Sequence, residues 1–86
     1  MKTQTLRILL VDDHPLFRKG VRSLIETHAE FQVIGEAGNG CDAIEMTKLT
    51  RPDVIFMDID MPKVNGLEAT RVIKKEFPQT SIIILT

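Results

Sequence analysis

Three aspartates stand where carboxylates can do chemistry. Asp12 and Asp13 directly follow the apolar run Ile8-Leu9-Leu10-Val11, and Asp58 directly follows Val54-Ile55-Phe56-Met57. In an open α/β sheet, ligands bind beyond the carboxyl ends of strands, where the strand order reverses. If these two runs are neighbouring strands, the three carboxylates converge there. Each pair about 5 Å apart would repel by roughly 3 kcal/mol at an effective dielectric near 20. Three pairs sum to the order of 10 kcal/mol, comparable with the stability of a whole domain. A hard divalent cation, a buried lysine or proton uptake relieves such strain. Oxygen-only ligands with open positions suit Mg²⁺ or Mn²⁺. A carboxylate beside such a cation can attack phosphorus and hold an acyl phosphate. Asp58 is then the nucleophile, Asp12 and Asp13 the metal carriers, and Thr86 a hydroxyl offered to a phosphoryl oxygen. The competing reading is local, since an aspartate before a helix is a common cap and Asp12-Asp13-His14-Pro15 is a capping context.

The elements that must hold these residues follow from periodicity. Four short apolar runs, 8–11, 31–34, 54–57 and 82–85, are rich in β-branched residues and read as strands. The first, third and fourth lack alternation, as expected of strands covered on both faces, whereas Phe31-Gln32-Val33-Ile34 alternates and suits an edge. Three helical stripes lie between them. Leu16, Phe17, Val21, Leu24 and Ile25 form one, with Pro15 in its first turn. Cys41, Ala43, Ile44 and Leu49 form the second, closed by Pro52. Leu67, Ala69, Val72, Ile73 and Phe77 form the third, starting at Asn65-Gly66 and closed by Pro78. The order β-α-β-α-β-α-β predicts a parallel sheet with right-handed crossovers and helices on both faces.

Composition limits the function classes. The 86 residues, 43% hydrophobic and 27% charged, suit one globular domain. Folding would bury roughly 64% of the extended chain's surface. A net charge of −1 supplies no global field for DNA, RNA or an anionic membrane. No apolar run approaches a membrane span, and Met1 to Arg7 lacks a signal peptide's apolar centre. The single cysteine, Cys41, excludes an internal disulfide framework. These features predict a cytoplasmic protein.

The combination of Ile8-Leu9-Leu10-Val11-Asp12-Asp13-His14-Pro15, Pro52-Asp53-Val54-Ile55-Phe56-Met57-Asp58-Ile59-Asp60-Met61-Pro62 and Asn65-Gly66-Leu67 resembles the receiver domain of a bacterial two-component response regulator. The stretch from Asp13 to Gly20 further resembles receivers that carry a NarL/FixJ/LuxR-type helix-turn-helix output domain. The resemblance implies a flavodoxin-like doubly wound parallel sheet, order 2-1-3-4 in this chain, within the family's 2-1-3-4-5. It implies that Asp58 is the phosphoacceptor, that Asp13 binds Mg²⁺ directly and Asp12 largely through water, and that the backbone carbonyl of Asp60 completes the protein ligands. Thr86 matches the switch hydroxyl. The implied partner is a cognate sensor histidine kinase, with regulation of transcription and DNA binding left to an output domain absent from residues 1–86. Against the family pattern, residues 1–86 read as a partial receiver ending after the fourth strand. The final helix-strand-helix, and with it the family's conserved lysine, is absent.

The resemblance implies a signalling module, not a conventional enzyme. One rival is a phosphatase, because Asp58-Ile59-Asp60 resembles the Asp-x-Asp of haloacid-dehalogenase-like enzymes. The other is a homodimer or domain-swapped assembly without phosphotransfer, suggested by the β-prone run Ile82-Ile83-Ile84-Leu85. Of the remaining residues, His14 reads as a cap or local hydrogen-bonding group and His28 as a helix-dipole partner. Gly38-Asn39-Gly40 reads as a β-to-α turn, Cys41 as a small apolar filler, and Lys63 as a solvated loop charge. Phe56 and Met57 read as core, and Met61-Pro62 as fixing the loop beyond the acceptor. Arg18, Lys19 and Arg22 form either a solvated face or a kinase-docking surface.

Overall fold

The computed structural model describes residues 5–58, 61 and 66–85. Asp60, Pro62, Lys63, Asn65 and Thr86 lie outside the described residues. The elements run in the expected alternation: β1 (Leu6–Val11), α1 (Pro15–Ile25), β2 (Phe31–Ala37), α2 (Gly40–Thr50), β3 (Val54–Asp58), α3 (Gly66–Glu76) and β4 (Ser81–Leu85). All strands pair in parallel, in the order β2-β1-β3-β4. This is the flavodoxin-like doubly wound arrangement. The order reverses beside β1, so β1 and β3 are neighbours. Val11 is in register with Met57, which brings the ends of the two strands side by side.

Apolar residues explain the layers. Leu9, Val11, Ile55 and Met57 point to one face and are sealed by Ala43 of α2, Ala69 and Ile73 of α3, and Met61. Ile8, Leu10 and Val33 point to the other face, where Ile25 of α1 packs. β1 is thus buried on both sides, as its unbroken apolar run predicts. β4 departs from that expectation. It is the second sheet edge, with Ile83 and Ile84 47% and 40% exposed. An apolar run reports the strand, but its burial depends on what packs over it.

The helix faces also need correction. In α1, Leu16, Phe17 and Leu24 are exposed, and the face turned to the sheet carries Arg18, Val21, Arg22 and Ile25. These lie at i, i+3, i+4 and i+7 and so share one face. The arginines are held there by β2 rather than by water, as described below. In α2, Cys41 and Leu49 are exposed instead of filling the core, and the buried face is Gly40, Ala43 and Thr47. A threonine can take that place because its hydroxyl donates to the Ala43 carbonyl at 2.7 Å. In α3, Ala69 and Ile73 are buried as expected, but Leu67 is exposed. His28 lies beyond α1, against the Phe31 ring at 5.6 Å.

Local signals set the helix ends. Pro15 opens α1. Asn39 caps α2 by accepting from the Asp42 amide at 2.8 Å, so Gly38-Asn39-Gly40 is the β-to-α turn that its composition predicts.

β2 carries one irregularity. Ile8 pairs with Val33 but Leu9 with Gly35, so Ile34 is an extra residue in a bulge. Gly35 faces α2, where an added Cβ would collide with Met46 Cε. Because Met46 ends in a flexible thioether, Gly35→Ala is expected to destabilise by only about 1 kcal/mol, whereas Gly35→Val should cost about 2–3 kcal/mol. Urea unfolding checks this, and equal midpoints for all three proteins would contradict it.

Candidate functional site

The carboxyl ends of β1 and β3 bring the three predicted aspartates together. One carboxylate oxygen each from Asp12, Asp13 and Asp58, with a ring nitrogen of His14, lie within 4.8 Å of one another. The backbone explains the convergence. β1 continues its ladder through the Asp12 amide, which donates to the Ala37 carbonyl at 3.0 Å. The chain then turns, and the His14 amide donates to Asp12 Oδ1 at 2.7 Å, closing a local aspartate turn ahead of α1. Asp12 and Asp58 are buried, 5% and 9% exposed, so their charges sit at the floor of the site. Asp12, His14, Phe17, Asp58 and Leu85 line an open cleft above it.

Asp13 carries the most informative atom. Its Oδ1 is buried and has no hydrogen-bond partner among the described residues. His14 Nδ1 approaches it to 2.9 Å, but without hydrogen-bond alignment. A buried carboxylate oxygen left in this state is costly unless a cation meets it. Beside the His14 nitrogen, the donor set is three carboxylate oxygens on an open cleft, and those oxygens fit a hard divalent cation such as Mg²⁺. Asp13, Asp12 and Asp58 would hold it. The Asp60 carbonyl and the Thr86 hydroxyl, also predicted for this site, lie outside the described residues.

His14 is the member whose place sequence reasoning missed. It occupies the N-cap position of α1 without a capping side chain. Its local hydrogen bond to Asp12 is as predicted, with Nδ1 and Oδ1 3.1 Å apart, but the same nitrogen also lies 4.0 Å from Asp58 Oδ2. The Asp12 hydrogen bond, followed by the Asp13 charge, raises the imidazole above its usual value near 6.5, against a smaller opposing effect of burial. The signal was available in its adjacency to two aspartates, one of which had to converge with Asp58.

Behind the acidic loop is a second cluster. Arg18 Nε donates to Glu36 Oε1 at 2.7 Å, and Arg22 Nη1 donates to Glu36 Oε2. Arg22 also pairs with Glu26 at 3.1 Å. The reading of Arg18 and Arg22 as a solvated face is therefore corrected, since both are tied to the end of β2. Their i, i+4 spacing was the legible signal, but Glu36 could not be assigned as partner before the strand order was known.

Arg22, followed by Arg18, holds the Glu36 carboxyl below its usual 4.5, and partial burial opposes them. A carboxyl with a lowered folded-state value stabilises fully above its unfolded value and loses that contribution as pH falls through the folded one. Glu36→Gln is therefore expected to destabilise by about 1–2 kcal/mol at neutral pH. The difference from the parent chain should shrink as pH falls below 4.5 and vanish once it passes below the lowered folded-state value. Urea unfolding across that range checks both the size and the sign.

A four-stranded doubly wound sheet with an acidic cleft where its strand order reverses is the architecture of a receiver-type α/β domain. Comparison with known proteins makes the assignment specific: residues 8–86 match the response regulator receiver domain, and the chain belongs to that family. It is 45% identical over 86 residues to the transcriptional regulatory protein YxjL of Bacillus subtilis (strain 168), covering 100% of this chain and 39% of that protein. It is 46% identical over 79 residues to a protein-glutamate methylesterase/protein-glutamine glutaminase of Pyrococcus abyssi, covering 92% of this chain and 22% of the relative. Among solved structures it resembles a LuxR-family two-component response regulator from Aurantimonas sp. SI85-9A1. The TM-score is 0.89 and the identity 41%, over 94% of this chain and 58% of the other. The resemblance to LuxR- and NarL-type receivers therefore holds. The relatives show one receiver fold in both transcriptional regulators and an enzyme. No helix among the described residues is long and apolar enough to cross a membrane.

Proposed function

We propose that the chain is the phosphoacceptor module of a two-component signalling system, with Asp58 as acceptor and Mg²⁺ held by Asp13, Asp12 and Asp58. The observation that carries this reading is the buried Asp13 Oδ1, lacking a hydrogen-bond partner among the described residues and set within 4.8 Å of carboxylate oxygens from Asp12 and Asp58. Family membership supports it. Bound there, Mg²⁺ would neutralise charge on a transferring phosphoryl group, which dominates catalysis of such transfers.

The chain's own residues supply the rest. The donor would be a phosphohistidine on a histidine kinase, or a small acyl phosphate in its absence. One Asp58 oxygen forms the new O–P bond as the donor's P–N bond, or the P–O bond of an acyl phosphate, breaks, and the donor nitrogen or carboxylate oxygen leaves with the electron pair. Asp58 sits at a strand end, so a phosphoryl group on it would stand in the cleft with its added charge and acceptor oxygens facing outward. Thr86 is proposed as the switch hydroxyl and the Asp60 carbonyl as a further metal ligand. Regulation of transcription would pass through an output domain, as the names of the transcriptional relatives suggest, and we assign DNA binding to none of these 86 residues. Self-association, as a homodimer or swapped assembly, is part of the same proposal. The cytoplasm, where a kinase presents its phosphohistidine, is the proposed compartment.

The test is incubation with Mg²⁺ and acetyl phosphate, followed by intact-mass measurement. A gain of one phosphoryl group, lost on chelation of Mg²⁺, supports the reading. No gain under any Mg²⁺ concentration, or a gain indifferent to chelation, overturns it.

A further inference from the structure

We propose that Arg18 is a positioning residue for the acidic site, holding the Asp12–Asp13 peptide so that Asp13 presents its oxygen to a divalent cation. The inference rests on the reading of that cluster as a Mg²⁺ site. Arg18 Nη1 donates to the Asp12 carbonyl at 2.6 Å, and the Ala37 carbonyl lies 3.5 Å from the same nitrogen. Its Nε is meanwhile fixed on Glu36. One planar guanidinium thus grips the ends of both β1 and β2 from α1. A charge-assisted bond to a carbonyl sets the tilt of the peptide that carries it. The nitrogen of this peptide belongs to Asp13, so the grip sets where the Asp13 side chain leaves the backbone.

The other described contacts around Asp13 act on side-chain oxygens and not on the Asp12 carbonyl: the His14 amide donates to Asp12 Oδ1, and His14 Nδ1 lies 2.9 Å from Asp13 Oδ1. Asp13 Oδ1 makes no hydrogen bond, so the side chain is not aimed by a bond at that oxygen. The Arg18 side chain is only 22% exposed, and Arg22 supports it from the far side of Glu36 without touching Asp12. Lysine cannot replace the fork, because a single ammonium on a flexible stem does not reach two fixed acceptors in one plane. Groups that orient metal ligands from behind typically change affinity by about 10–100-fold when lost.

The test compares Arg18→Gln and Arg18→Lys with Arg22→Gln, which loses a Glu36 bond but leaves the Asp12 carbonyl alone. Mg²⁺ is titrated against amide resonances of uniformly labelled protein, and thermal unfolding is recorded for each variant. Arg18→Gln is expected to weaken Mg²⁺ binding about 10-fold and to shift the Asp13 amide in the metal-free protein. Arg18→Lys should fall between it and the parent. Arg22→Gln should weaken binding less than about 2-fold, even where its thermal loss is as large, because it acts on stability and not on the peptide. Equal effects of Arg18→Gln and Arg22→Gln on Mg²⁺ overturn the proposal and leave the metal site standing. Failure of both Arg18 variants to fold makes the residue a stability element and also overturns it. A parent chain with no saturable shift at Asp13 and Asp58 overturns the metal reading itself.

Discussion

Asp58→Asn is expected to abolish the phosphoryl adduct entirely. The substitution keeps the shape of the side chain and replaces a carboxylate with a neutral amide that does not attack phosphorus. Asp58 ends β3, is 9% exposed, and lies beside Asp12 because Val11 and Met57 are in register. A side chain so placed is held by the strand, so the change removes chemistry without removing structure. After incubation with Mg²⁺ and acetyl phosphate, intact-mass spectrometry should find the parent chain modified once and the variant unmodified. Matching far-ultraviolet circular dichroism of the two proteins separates lost chemistry from lost fold. A variant that still gains the phosphoryl mass would place the acceptor elsewhere.

Asp13→Asn should produce two effects of opposite sign. Carboxylates with oxygens within 4.8 Å repel by about 3 kcal/mol per pair at an effective dielectric near 20. The nearby His14 imidazole offsets part of this repulsion. Without metal the variant is therefore expected to be more stable than the parent, by about 1–2 kcal/mol once that offset is counted. Its Mg²⁺ affinity should fall by about 100-fold or more, since even groups behind the ligands cost 10–100-fold. Thermal unfolding with and without Mg²⁺ reads both effects at once: the parent gains stability with the ion and the variant does not. General misfolding cannot imitate this pair of results, because it would lower stability in both conditions. A variant less stable than the parent without metal, or one that binds Mg²⁺ as tightly, would remove Asp13 from the site.

Local chemistry decided much of this protein. The residues from Ile8 to Val11 and from Val54 to Met57 are short, apolar and rich in β-branched side chains, which marks them as strands, and the aspartates that follow them fall at the strand ends. Pro15, Asn39 and Gly66 mark where helices begin. Each of these features depends on residues within a few positions of one another. Tertiary structure decided the rest. It turned α1 so that Arg18 and Arg22 face β2 while Leu16 and Leu24 face outward, and it left β4 as an exposed edge. It set the His14 ring among three carboxylates and left Asp13 Oδ1 without a hydrogen bond. Glu36 is 18 residues from Arg18, and Asp58 is 46 residues from Asp12. Contacts across such separations follow from which strands pair and on which side each crossover packs. That choice is made by the summed burial of both faces of the sheet, which no short stretch of sequence contains.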